Sequence, residues 1–147
     1  MRIYIASSFR NLHAVQLLTA ALEKDGHVVE DWSKLAPPIP SGLKPDEAKA
    51  IFDSDNERGE IFEFCTTAST QVDLFIYLGP AGQDAACEVG LAAASGVPVF
   101  GLAGPLERPG LILSGLVDKW FSSAAELLEA VSGDFIQKCC WWVEENL

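Results

Sequence analysis

Short apolar, β-branched runs alternate with helical segments along the whole of this 147-residue chain, and few architectures accommodate that alternation. "RIYIA" (Arg2–Ala6), "HVVEDW" (His27–Trp32), "VDLFIYL" (Val72–Leu78), "VPVFGL" (Val97–Leu102) and a short run near Leu116–Phe121 read as strands. Between Asn11 and Asp25, apolar residues recur at Leu12, Val15, Leu18, Ala21 and Leu22, which is helical spacing. Asn11 is placed to cap that helix and Gly26 to end it. Asp46 to Thr70 reads as helix in parts, broken near "DSDN". A further helix starts in "GQDAACEVG" (Gly82–Gly90), runs to about Ser95 and stops at Gly96. A weak helix or turn follows "AGPLERPG"; Ser123 and Glu126 then form a capping box, and "DFIQKCCWWVEENL" reads as a last short helix. The pattern predicts one α/β domain over residues 1–147. It is a flavodoxin-like or Rossmann-like three-layer sandwich around a mostly parallel five-stranded sheet.

Ligands bind such sheets where loops leave the C-terminal ends of the strands, at the topological switch point. Two loops stand there: "SSFRN" after the first strand and "GPAGQDAACE" after the third. A third loop, "KLAPPIPSGLKP", is punctuated by Pro and Gly and is long enough to cover a site.

Composition narrows the ligand. The net charge is −11, so a polymeric nucleic acid, which is held by basic patches, is not an expected partner. No apolar run approaches the roughly 20 residues that span a bilayer, and "MRIYIASSFRN" is too short in its apolar part for a signal peptide. The expected setting is the cytoplasm. Cys65, Cys87, Cys139 and Cys140 contain no CxxC pair, and only His13 and His27 could join them. The cysteines therefore read as reduced thiols, mostly buried, and neither a metal nor a cofactor is expected. The GxGxxG and GxxxxGK[ST] signatures are absent as well. The two histidines read as structural or solvated, and Trp120, Trp141 and Trp142 as cover for the core or a subunit contact.

Two groups of residues carry chemistry. Asp84 and Glu88 are the only charges between Gly79 and Pro105. Helical geometry sets them on one stripe with Ser95, which as structure alone is a solvated face. Two details favour a site: the helix N-terminus stabilises negative charge, and Ala85, Ala86, Cys87 and Gly90 leave room for a ligand. Ser7, Ser8, Arg10 and Asn11 lie between a strand and a helix N-terminus, where hydroxyls, free N–H groups and one Arg suit an anion. The plain alternative is that Ser8 or Asn11 caps the helix and Arg10 is solvated. Tyr4, in the first strand, reads from the pattern alone as core.

Three stretches, "IYIASSFRN", "VDLFIYLGPAGQDAACEVGLAAASGVPVFGL" and "LILSGL", together resemble the nucleoside 2-deoxyribosyltransferase family. The nearer branch is that of the 2′-deoxynucleoside 5′-phosphate N-hydrolases and related nucleotide N-glycosidases. The resemblance runs from about Arg2 to Val131 and rests on Glu88-x-Gly90-x-Ala92 paired with Tyr4-x-x-x-Ser8-x-Arg10. It implies that Glu88 is the nucleophile, with Tyr4 beside it. It implies that Ser8 and Arg10 contact a phosphate, and that Ser114 enters the phosphate site of a neighbouring subunit. A homodimer or higher homo-oligomer with shared sites follows, acting on a small nucleoside or nucleotide. The chain departs from the family where a base-binding aspartate is expected. That spacing falls near Cys65, with Glu63 and Glu60 as the nearest acids, and Glu63 or Asp84 is the candidate replacement. Gly82 stands where the hydrolase branch carries a further phosphate-contacting serine, and Asp84-Ala85-Ala86 replaces the usual lead-in to the glutamate.

The implied chemistry is cleavage of an N-glycosidic bond. A carboxylate near the anomeric carbon stabilises an oxocarbenium-like sugar and then forms a glycosyl ester, which water or another base resolves. Two other readings belong to the same fold: a non-catalytic nucleotide-binding or sensing protein, and a TIR-like enzyme that cleaves NAD.

Overall fold

In a computed structural model, residues 1–35, 43–54 and 56–133 are described. The reading of 134–147 as a helix, with Cys139, Cys140, Trp141 and Trp142, lies outside them, as does most of the Pro-rich loop. The five runs read as strands are all strands: β1 (Arg2–Ala6), β2 (Val28–Glu30), β3 (Leu74–Leu78), β4 (Val99–Leu102) and β5 (Lys119–Phe121). They form one sheet in the order β2-β1-β3-β4-β5 with every pairing parallel. The helices are α1 (Leu12–Lys24), α2 (Pro45–Ser54), α3 (Asn56–Gln71), α4 (Gln83–Ala94), α5 (Leu111–Leu116) and α6 (Ala124–Ser132). α1 packs with α6, while α3 packs on α4 and α4 on α5. Right-handed crossovers set these two groups on opposite faces of the sheet.

The middle strand explains the architecture. All five side chains of β3 are buried, as expected of a strand covered on both faces. Ile3, Tyr4, Ile5 and Ala6 of β1 join them, and Val15, Leu18 and Leu22 close the core from α1. Helix stops fall where the glycines are: Gly26 and Gly96 take φ of 87° and 74°, a region that disfavours a side chain. Asp73 and Asp118 fix the start of the sheet by accepting the backbone N–H of Arg2 and Val99, each at 2.7 Å.

Three local expectations are corrected. The strand read as His27–Trp32 is shorter, because Asp31 accepts the N–H of Ser33 and starts a 3-10 turn at Trp32–Lys34. Asn11 stands at the start of α1 but makes no capping bond; its side chain reaches the loop after β3 instead. The capping box is rearranged. Ser123 Oγ accepts from Glu126 N, whereas the Glu126 carboxylate takes its bonds from Ser122.

Candidate active site

The strand order reverses between β1 and β3, and the two loops singled out in the sequence meet there. Ser7 donates its hydroxyl to the carbonyl of Leu78 at 2.6 Å. Asn11 Nδ2 donates to Pro80 O at 2.7 Å and to Ser7 Oγ at 3.2 Å. Two polar side chains thus clamp the loop after β1 to the loop after β3. On the far side, Trp32 donates its indole N–H to Ile5 O at 2.7 Å, with Phe9 against its ring edge-on at 4.9 Å.

Tyr4 leaves β1 on the face covered by α3 and α4, and its hydroxyl donates to Glu88 Oε1 at 3.0 Å across 84 residues of chain. Phe75, its register partner on β3, supports the ring at a centroid separation of 5.5 Å. Glu88 sits in the second turn of α4, flanked by buried Ala85, Val89 and Ala92. Burial pushes its carboxyl up to about 7. The bond from Tyr4 and the nearby Cys65 thiol pull it back, and the Asp84 charge adds to the rise. Among the described residues no cation figures in that balance. Burial also raises the Tyr4 phenol far above its ordinary value, so it remains a neutral donor.

Cys65 completes the cluster. Cys65, Ala68 and Ser69 of α3, with Val72 just past its end, follow i, i+3, i+4, i+7 spacing and turn inward; Ala68, Ser69 and Val72 are buried. Burial pushes the Cys65 thiol up to about 12, and the charge of nearby Glu88 adds to the rise. Glu63, two positions earlier, is turned by about 200° on a helix. It lines a different cleft, of about 290 Å³, with Arg2, Glu30, Glu60 and Phe64. The structure therefore brings a thiol to the Tyr4–Glu88 pair and sets Glu63 apart from it. The inward stripe was visible in the sequence, but its members are small or polar, so it did not announce a packed face.

The remaining candidates surround the cluster. Asp84 is exposed in the first turn of α4, one turn before Glu88. Gly82 is the N-cap of α4, and a methyl group added there or at Gly90 would meet nothing within 4 Å, so space is open along this helix. Ser8 accepts the backbone N–H of Arg10 at 3.3 Å as cap of a 3-10 turn over Phe9–Asn11, and Arg10 is exposed. Ser114 lies on α5, exposed, donating to Pro109 O at 3.3 Å. Leu106, Leu111 and Ile112 around it are 97%, 92% and 77% exposed, an apolar surface without cover in the single chain.

The sequence reading missed one further pair. Tyr77, on β3, donates its hydroxyl to Glu107 Oε1 at 2.5 Å, and Glu107 Oε2 accepts Gly104 N at 2.9 Å. Among the described residues, no helix is long and apolar enough to cross a membrane, and no cluster of metal-ligating side chains is present.

No protein-family model and no curated protein matches the sequence. Solved structures do match the fold. A 2-deoxyribosyltransferase from Bacillus psychrosaccharolyticus superposes with a TM-score of 0.60 at 20% identity, covering 87% of this chain and 90% of its own. A CMP N-glycosidase from Clostridium botulinum does so with a TM-score of 0.57 at 19% identity, covering 90% and 100%. A protein of Enterococcus faecalis gives 0.60 at 20% identity, covering 88% and 95%. The chain is thus similar in fold, along nearly its whole described length, to a 2-deoxyribosyltransferase and to a CMP N-glycosidase.

Proposed function

We propose that this protein cleaves the N-glycosidic bond of a nucleoside or nucleoside 5′-monophosphate, with Glu88 as nucleophile. The observation that carries the reading is the Tyr4–Glu88 hydrogen bond at the switch point of the sheet, on a carboxylate that burial has raised. The fold shared with a deoxyribosyltransferase and a CMP N-glycosidase supports it.

A half-buried carboxylate with one neutral phenol donor suits a transient cation. One Glu88 oxygen attacks the anomeric carbon as the C–N bond breaks, and the bonding pair leaves with the base, which takes up a proton. The glycosyl ester is then hydrolysed by water in a hydrolase, or displaced by a second base in a transferase. Glu88 must be ionised to attack, so turnover rises with pH through about 7. Asp84 accepts from a sugar hydroxyl in the open space along α4. Ser8, Arg10 and the backbone N–H at Gly82 hold the 5′-phosphate and fix the sugar against Glu88. A second copy, joined through the apolar surface of Leu106, Leu111 and Ile112, completes that phosphate site with its Ser114.

The test is release of free base from a panel of nucleosides and nucleoside monophosphates, wild type against Glu88→Ala. Equal release by the two proteins would sink the proposal. The thiol at the Tyr4–Glu88 pair favours a second reading, a nucleotide-binding protein without turnover. Calorimetry showing nucleotide binding together with no base release from any member of the panel selects it.

A further inference from the structure

Ser8 and Arg10 follow β1 and the N–H of Gly82 follows β3, so the phosphate site rests on two separate loops. One anion is held by both only if their separation is fixed before it binds; otherwise binding must also order the loops. The bonds that fix it run from Ser7 and Asn11 and span 71 and 69 residues of chain. Their direction is forced. The carbonyls of Leu78 and Pro80 only accept, at 2.6 and 2.7 Å. Ser7 gives its one hydroxyl proton to Leu78 O, so toward Asn11, at 3.2 Å, it can only accept. Asn11 must therefore present its amide nitrogen, and both protons of that nitrogen are committed within the protein. The other side of the same loop is closed as well. A methyl group at Gly79 would run into the Glu107 carboxylate, and one at Gly104 into the Pro80 ring. Leu78–Pro80 is thus held between the loop after β1 and the loop after β4, just before α4 begins.

We propose that Ser7 and Asn11 are positioning residues and not phosphate ligands: their relay of hydrogen bonds sets Ser8 and Arg10 against the Gly82 N–H and so gives the site its preference for a 5′-phosphate. That preference rests on the N-glycosidase reading; the fixing of the two loops does not.

The experiment therefore has two readouts. Amide hydrogen exchange, followed by NMR, reports on the loops. Base release from a nucleoside and from its 5′-monophosphate reports on the site. The exchange reporters are Gly79, whose N–H bonds Leu102 O at 2.8 Å, and Ala86, whose N–H bonds Gly82 O at 3.4 Å. In Asn11→Ala both exchange at least about tenfold faster relative to buried Ile5. Asn11→Asp keeps the shape and lacks the donor, and it exchanges like Asn11→Ala. Unchanged exchange in Asn11→Ala overturns the relay. So does wild-type exchange in Asn11→Asp, since shape and not donation would then hold the loops. In Ser7→Ala and Asn11→Ala alike, kcat/KM for the monophosphate falls at least about tenfold more than for the nucleoside, and the double variant loses little more than either single one. Equal losses on the two substrates overturn the phosphate preference. A selective loss confined to Asn11→Ala makes Asn11 a direct phosphate contact and overturns its assignment as a positioning residue. If exchange responds as expected but no protein releases base, the relay stands and the assigned reaction is wrong.

Discussion

Tyr4 and Tyr77 lie on the same face of the sheet, and each donates its hydroxyl to a glutamate. The two pairs differ in what else the carboxylate meets. Glu107 also accepts the backbone N–H of Gly104, and its own N–H donates to Gly104 O at 3.0 Å. Both of its oxygens are taken, by a side chain and by the chain it belongs to, so the pair braces the loop between β4 and α5 against β3. Trp120 closes the same spot, edge-on to the Tyr77 ring at 5.9 Å. Glu88 has no backbone donor among the described hydrogen bonds. It has a phenol, a thiol and a like charge, on a helix beside open space. One carboxylate is satisfied and braces a loop; the other is half-buried and held above the ordinary carboxylate range.

The comparison is broken or sharpened by treating the two pairs alike. The largest contrast is expected in turnover. Glu88→Ala lowers base release by on the order of 10³-fold or more, as loss of a nucleophile does. Glu107→Ala retains most of it, and comparable losses in both would erase the distinction drawn here.

Next comes stability. Glu107→Ala strands the Tyr77 hydroxyl and the Gly104 N–H, which costs about 1–3 kcal/mol in denaturant unfolding. Glu88→Gln keeps the shape and removes a buried charge. Its effect depends on pH, and the sign follows from the raised carboxyl. Glu88 titrates at about 7 when folded and at about 4.5 when unfolded. The folded state holds the proton more tightly, so this group's contribution is full below 4.5 and is lost as pH rises through 7. Wild type therefore loses stability between pH 5 and 8 relative to Glu88→Gln. Parallel stability–pH curves for the two proteins would contradict the raised carboxyl of Glu88.

A smaller effect separates the tyrosines. Tyr4→Phe deletes a donor to the ionised form, so the acid limb of the activity profile moves above about 7, while in Tyr77→Phe it stays in place. The smallest effect concerns the thiols. Held near 12, Cys65 alkylates slowly at pH 8, and exposed Cys87 is modified before it, as peptide mass mapping would show.

Much of this was readable before any coordinates. The apolar runs and their glycine stops prescribe strands and helices because burial on both faces of a parallel sheet leaves a periodicity that local sequence carries. The two loops at the switch point follow from chain order alone. The nearness of Tyr4 to Glu88 came only as what a resemblance to a family motif, spread over two distant stretches, implies. The sequence by itself could not say that Asn11 clamps two loops and leaves its helix uncapped, since a cap and a clamp need the same side chain. Nor could it choose between Glu63 and Cys65 on α3. Both lie near the expected spacing, and only the packing of α3 on α4 decides which faces Glu88. The Tyr77–Glu107 brace joins residues 30 apart that share no pattern. Local periodicity determines which side chains leave an element on the same face. Which of them meet across elements, and whether a carboxylate there is satisfied or left raised, is settled only by long-range packing.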